Sequence, residues 1–194
     1  MRTSDYGINF IKQHEGLRLK AYNAVPSEQF YTIGYGHYSS DIKKGTVITA
    51  EMAETFLRQD VEKIERKIEP FVEVYGFNQN QYDALVSFTY NCGFGNFVNL
   101  TKNGQRSIPQ IETAIPKYNK SGGKVLTGLV RRRSDELKLF RTPVTTETLK
   151  DNRTIAHEVI GGKWGNGEER KRRLTEAGYN YEEIQAIVNR ILKG

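Results

Sequence analysis

The stretch EGLRLKAYNAVPSEQFYTIGYGH, residues 15–37, sets an acidic side chain at a helix end against a short run of sheet. From Leu17 to Tyr22 large and polar side chains alternate, the period of a half-buried strand. From Phe30 to Tyr38 β-branched and aromatic residues dominate, with Gly34 and Gly36 inside the run, and Pro26 and Ser27 lie between the two runs as turn formers. Upstream, Thr3 or Ser4 is a fair N-cap for a helix carrying Ile8, Ile11 and Lys12, and Gly16 supplies its stop. The reading is a helix that delivers Glu15 to the edge of a small hairpin.

An acid so placed suits glycoside cleavage, which needs one carboxylic acid to protonate the leaving oxygen and generally a second carboxylate to activate water or attack. EGLRLKAY and YTIGYGH resemble, in residue type and order, the phage-type lysozymes, the T4-like muramidases of glycoside hydrolase family 24. ITAEMAETFLRQDV, QYDALVSFTYNCG and GLVRRRSDELKLF extend the resemblance from Phe10 to Phe140. It implies an α+β lysozyme-like catalytic domain, with a small β-hairpin lobe and a helical lobe. It also implies cleavage of the MurNAc-GlcNAc β-1,4 bond of bacterial peptidoglycan, Glu15 as general acid, and Thr32 holding the attacking water by its hydroxyl.

The second carboxylate departs from the family pattern. Where the family places an Asp nine positions after its Glu, this chain has Ala24. Thr32, in the YTIGYGH strand, stands 17 residues after Glu15 where the family has 15, so the loop before it is two residues longer, and Glu28 is the one acid inside that loop. Glu28 is either the displaced second carboxylate or a solvent-facing loop residue. Without it, the alternatives are a water held by Thr32, a lytic transglycosylase that uses Glu15 alone and releases an anhydro sugar, or a non-catalytic wall-binding protein. Tyr35 and Asn91 are candidate sugar contacts, with core packing the competing reading for both. Arg132, inside the cluster Arg131 to Arg133, either pairs with domain acids or faces the substrate's stem peptide. His37 is read as a hydrogen-bonded structural residue.

Beyond the hairpin, Thr49 caps a long helical pattern, Met52, Phe56, Leu57, Val61, Ile64 and Ile68, expected to end at Pro70. Asn78 or Asn80 opens a helix that is apolar nearly all round and ends at Gly93, the pattern of a buried central helix. Further helices are expected near Ser107–Tyr118 and Leu126–Phe140, separated by the loop NKSGGK. RTPVTTETLKDN, residues 141–152, loses apolar periodicity and reads as a linker. The expected organisation is a muramidase domain over 1–141, a linker over 142–152 and a small module over 153–194. In that module Thr154–Gly161, Glu168–Gly178 and Tyr181–Lys193 form a three-helix bundle around Ile155, Val159, Leu174, Ala177, Ile184, Val188 and Ile191.

The segment TIAHEVIGGKWGNGEERKRRLTEAGYNYEEIQAIVNRIL resembles the CW_7 cell-wall-binding repeat. That resemblance implies binding of glycan and stem peptide around the loop GGKWGNGEER. Trp164 would stack on a sugar, with Gly165 and Gly167 shaping the turn, Asn166 bonding an amide, and Arg170 or Arg173 holding a carboxylate. The competing reading is that Trp164 fills the small core and the glycines only turn the chain.

Charge and composition narrow the partners. The chain has 194 residues and a net charge of +6, which suits any polyanion. Arg131–Arg133 and Arg170–Arg173 are interleaved with Asp135, Glu136, Glu168, Glu169 and Glu176 and match no nucleic-acid motif. No apolar run approaches the ~20 residues of a bilayer span. Neither nucleic acid nor membrane is expected as a partner, and a monomer is. Cys92 is the single cysteine, which excludes an intrachain disulfide and leaves a packing role. His14, His37 and His157 show no metal-ligand spacing, so no metal or other cofactor is expected. The amino terminus carries no Sec-type apolar segment. The expectation is synthesis in a host bacterial cytoplasm and arrival at the wall through holin-mediated release or lysis.

Overall fold

The computed structural model describes residues 1–23, 28–144 and 151–193. The chain divides into two compact units, Met1–Val144 and Thr145–Gly194.

In the first unit Ser4 caps helix α1 (Asp5–Glu15), accepting from the Gly7 amide. Ser4 in turn donates from its amide and hydroxyl to Asp83, which anchors the start of the helix to the domain interior. At the other end Gly16 takes φ +69°, a backbone conformation that side chains disfavour, so the helix stops with Glu15 as its last residue.

Three antiparallel strands follow, β1 (Arg18–Tyr22), β2 (Tyr31–Gly34) and β3 (His37–Ser39), in the order β1-β2-β3. The run Phe30–Tyr38, expected as one strand, is itself a hairpin: Thr32 pairs with Tyr38 and Ile33 with His37. Gly34 at φ +67° and Gly36 at φ +98° supply the backbone reversal that a non-glycine residue would resist. The loop after β3 returns to the sheet, the Ala21 amide donating to the Thr46 carbonyl and the Ile48 amide to that of Leu19, both at 2.9 Å.

Thr49 caps α2 (Ala50–Tyr75) through the Met52 amide. The helix runs through Pro70, where the sequence predicted its end, and stops at the left-handed Gly76. Proline there forfeits one intrahelical bond. Pro70 itself is exposed, while Phe71 is buried edge-on against Phe97 at 4.9 Å, and that burial carries the helix past the defect.

Asn78 and Gln81 form a capping box for α3 (Gln79–Cys92), whose residues from Tyr82 to Thr89 are all buried. This helix is the centre of the unit and packs on α1, on α2, on α4 (Phe94–Thr101) and on α6 (Thr127–Arg141). Between α4 and α6 come α5 (Ile108–Ala114), a single 3₁₀ turn at Ile115–Lys117, and a two-stranded hairpin, β4 (Lys120–Ser121) with β5 (Lys124–Val125), turning at the two glycines of NKSGGK. Helix α4 was not anticipated, because Phe94, Phe97 and Val98 continue the apolar content of α3 across Gly93.

The second unit holds α7 (Asn152–Ile160), α8 (Gly167–Glu176) and α9 (Tyr181–Lys193) around Ile155, Ala156, Val159, Leu174, Ile184 and Val188. Asp151 caps α7 through the amides of Arg153 and Thr154, so that helix begins two residues earlier than predicted. Ala177, expected inside the bundle, caps the end of α8 and is exposed. Of the residues read as a linker, 145–150 lie outside the described residues.

Candidate functional site

Four elements of the first unit converge on Glu15. Helix α1 ends on it, α6 supplies Arg132, α3 supplies Tyr90 and the β2–β3 turn supplies Gly36. Glu15 Oε1 accepts from Arg132 Nη1 at 2.5 Å. Oε2 is directed at the turn, where a Cβ placed on Gly36 would stand 3.6 Å from it and 3.7 Å from the Tyr90 hydroxyl. Tyr90 donates to the Tyr35 carbonyl at 2.8 Å, joining α3 to the turn. The Glu15 side chain is four-fifths buried.

Arg132 is held from behind. Its Nε donates to Glu136 Oε1 at 3.1 Å and its Nη2 to the Ser87 carbonyl at 3.3 Å. Glu136, wholly buried, also accepts from the Ser87 hydroxyl at 2.9 Å and from Arg133 Nη2 at 2.8 Å. Arg133 Nε lies 2.6 Å from Glu136 Oε2 as an ion contact without hydrogen-bond alignment. Arg133 further reaches the Cys92 sulfur at 2.7 Å and sits over the Phe88 ring at 5.1 Å. Two buried guanidiniums thus face Glu136, and Arg132 alone reaches on to the carboxyl of Glu15.

The sequence-derived residues divide on this frame. Thr32 is buried in β2, paired with Tyr22 and Tyr38 on the strands either side. Glu28 is half-buried and its carbonyl accepts from Asn23 Nδ2 at 3.4 Å. The positions between them, including Ala24, lie outside the described residues, and the hydrogen bond that Glu15 makes runs to Arg132, not to Glu28. Asn91 is exposed at the end of α3. Tyr35, read as a sugar contact, is a core residue: 9% exposed, with Lys12 Nζ over its ring at 5.5 Å. Arg132, read as a substrate contact, is 5% exposed, and its guanidinium is taken up by Glu15, Glu136 and Ser87, so it orients the acid. His37 bonds Asp60 through Nδ1 at 2.7 Å and stacks on Phe56 at 4.6 Å, a structural placement.

Sequence reasoning missed Tyr90, Gly36, Ser87 and Glu136 as parts of the site. Glu136 was legible: it stands four residues after Arg132 and three after Arg133, the spacing at which helical side chains meet. Ser87 sits mid-helix among apolar neighbours, where a hydroxyl needs a partner.

In the second unit the loop between α7 and α8 carries the other candidates. Trp164 is half-buried, its Nε1 donating to Glu158 at 3.1 Å and its ring edge-on to Tyr179 at 5.8 Å. Gly165 and Gly167 adopt positive φ, and a Cβ on Gly165 would meet the Glu169 carboxyl at 3.3 Å. Arg170 is spent inside the loop, on the Gly165 carbonyl at 3.0 Å, Gln185 at 3.2 Å and Asn166 Oδ1 at 3.0 Å, so it braces the turn and is not poised for a ligand carboxylate. Asn166 begins α8 without a side-chain cap bond, its oxygen being engaged by Arg170. Arg173 is exposed and makes no ion pair among the described residues. Those residues hold no cluster of three or more His, Cys, Asp or Glu able to bind a metal, and no helix long and apolar enough to cross a membrane.

Comparison with known proteins matches two family models to separate segments of the chain. The phage lysozyme family model matches residues 12–136 and the CW_7 repeat model matches residues 153–192. The endolysin of Bacillus phage PZA is 48% identical over 147 residues, covering 73% of this chain and 56% of that protein. The endolysin of Bacillus phage B103 is 45% identical over 171 residues, covering 84% of this chain and 65% of that one. The chain therefore spans less than two thirds of the length of either. Among solved structures, the muramidase domain of SpmX from Asticaccaulis excentricus superposes with a TM-score of 0.64 at 35% identity, covering 73% of this chain and 99% of that domain.

Proposed function

The chain belongs to the phage lysozyme family, and from that premise we propose that it is a peptidoglycan hydrolase of the endolysin type, cleaving the MurNAc-GlcNAc β-1,4 bond with Glu15 as general acid. The observation that carries this reading is the carboxyl of Glu15, tied through Oε1 to Arg132 and directed through Oε2 at the hairpin turn. One oxygen is fixed, so the proton travels from the other, in a constant direction, to the glycosidic oxygen. Positioning of this kind contributes to the rate through geometry already set in the resting enzyme.

After protonation the leaving GlcNAc oxygen departs, and a water adds to the MurNAc anomeric carbon, losing its proton to a base. In this reading the base is Glu28, with Thr32 orienting the water. Ala24 at the family's Asp position favours a second reading, in which Glu15 acts alone and the sugar's own hydroxyl closes an anhydro ring. The two differ in product, a reducing MurNAc end or an anhydro one.

The second unit is proposed to hold the enzyme on the wall through Trp164, Gly165, Asn166, Gly167 and Arg173, with Arg170 bracing the loop. A single module raises local concentration on the polymer without changing the active site. A monomer, made in the host cytoplasm and released to the wall, fits this reading. The test is Glu15→Gln in the full chain: lysis of purified walls is lost while sedimentation with them is kept. Residual lysis would overturn the assignment of the acid.

A further inference from the structure

Tyr90 takes no part in the reaction above, yet it touches both sides of the site. It lies half-buried on α3, one residue before Asn91. Its hydroxyl donates across to the Tyr35 carbonyl at 2.8 Å, inside the turn between β2 and β3. The next residue of that turn, Gly36, has the Tyr90 hydroxyl and Glu15 Oε2 as neighbours, at 3.7 and 3.6 Å from the position of a Cβ. With Gly34 and Gly36 flanking it, the turn has little steric stiffness of its own, so its position depends on bonds from outside. Burial, reinforced by the negative charge of Asp60, pushes the ionisation of Tyr90 far above its ordinary range, so the phenol is a donor at every working pH.

We propose that Tyr90 is a positioning residue of the site: its hydroxyl clamps the Gly34–Gly36 turn onto the central helix and so fixes the gap between that turn and Glu15 Oε2. This rests on Glu15 being the acid. A phenylalanine ring fills the same space and preserves the packing of α3. The Tyr35 carbonyl then turns to water, while the Tyr35 ring stays in the core and keeps the hairpin folded. What is lost is the fixed width of the site, which acts on turnover more than on affinity or stability.

The experiment compares wild type, Tyr90→Phe and Glu15→Gln in the full chain. It reads kcat and KM on soluble uncrosslinked peptidoglycan fragments, melting temperature, and amide NMR signals of Tyr35, Gly36 and His37. For Tyr90→Phe the expected result is a kcat about tenfold lower or more, with KM within about twofold. Melting should stay within about 3 °C of wild type, and the three amide signals should shift or broaden while those of α7 to α9 stay in place. A kcat within about twofold of wild type, or a loss that tracks a comparable fall in melting temperature, overturns the clamp. Glu15→Gln separates the two readings. If it turns over like wild type, the assignment of Glu15 as the acid has failed whatever Tyr90 does. If it is inactive and Tyr90→Phe is unimpaired, the clamp alone is refuted.

Discussion

Replacing Glu136 by Gln removes one negative charge from the most enclosed polar cluster in the first unit. The side chain is wholly buried and answers to Ser87, Arg132 and Arg133. Glutamine keeps one acceptor oxygen but turns an amide donor toward a guanidinium; Arg132 keeps Glu15, while Arg133 is left with no carboxylate. An uncompensated buried charge of this kind costs about 3–5 kcal/mol. At about 2–4 °C per kcal/mol for a domain near this size, that is a melting shift of roughly 6–20 °C. Nine of the chain's eleven tyrosines lie in the first unit, so near-ultraviolet circular dichroism of the tyrosines follows the loss. Adding Arg133→Met to Glu136→Gln removes the stranded cation, so the double variant should be more stable than the sum of the two single changes. A Glu136→Gln variant within about 1 kcal/mol of wild type would refute the idea that charge cancellation holds this cluster together.

Three further variants test contacts elsewhere in the chain. His14 packs edge-on to Phe10 at 4.8 Å, and burial together with the positive Arg132 lowers its pKa below 6.5. Between the lowered folded value and the ordinary unfolded one, the unfolded chain binds the extra proton, so stability falls as pH drops below about 6.5. His14→Gln, which does not titrate, should lose less melting temperature than wild type between about pH 7.5 and 5; an equal loss would place the acid sensitivity elsewhere. In the second unit, Arg170→Ala breaks the contacts to Gly165, Gln185 and Asn166 and should shift the Trp164 emission and lower that unit's melting temperature. Arg173→Ala, at an exposed position, should leave melting unchanged and weaken sedimentation with walls; the reverse pattern would exchange their roles.

What was legible in the sequence was mostly local. Ser4, Thr49 and Asn78 each offer a side-chain oxygen to the orphan amide three residues on, and each caps a helix where the residue type says it should. The all-round apolar pattern of α3 marked it as central. Misreadings arose where a tertiary contact outweighed a local rule. Pro70 is a helix breaker by type, but Phe71 behind it is held by Phe97. YTIGYGH has the composition of one strand, and two glycines at positive φ fold it into a hairpin. For Tyr35 and Arg132 the sequence left an inward reading beside a ligand contact, and in the structure Tyr35 is buried in the core and Arg132 pairs with Glu15 and Glu136. Tyr90 carried no signal, because a tyrosine in an apolar helix looks like packing until its hydroxyl is found on a carbonyl of another element.

The central claim is that the site hydrolyses the glycosidic bond, with Glu15 as acid and Glu28 serving the attacking water. Mass spectrometry of muropeptides released from purified peptidoglycan in ¹⁸O-water, by wild type and by Glu28→Gln, tests it most directly. The account predicts reducing MurNAc ends carrying one ¹⁸O from wild type, and their loss in the variant. Anhydro ends without the label, or a variant as active as wild type, would contradict it and leave Glu15 working without a second carboxylate.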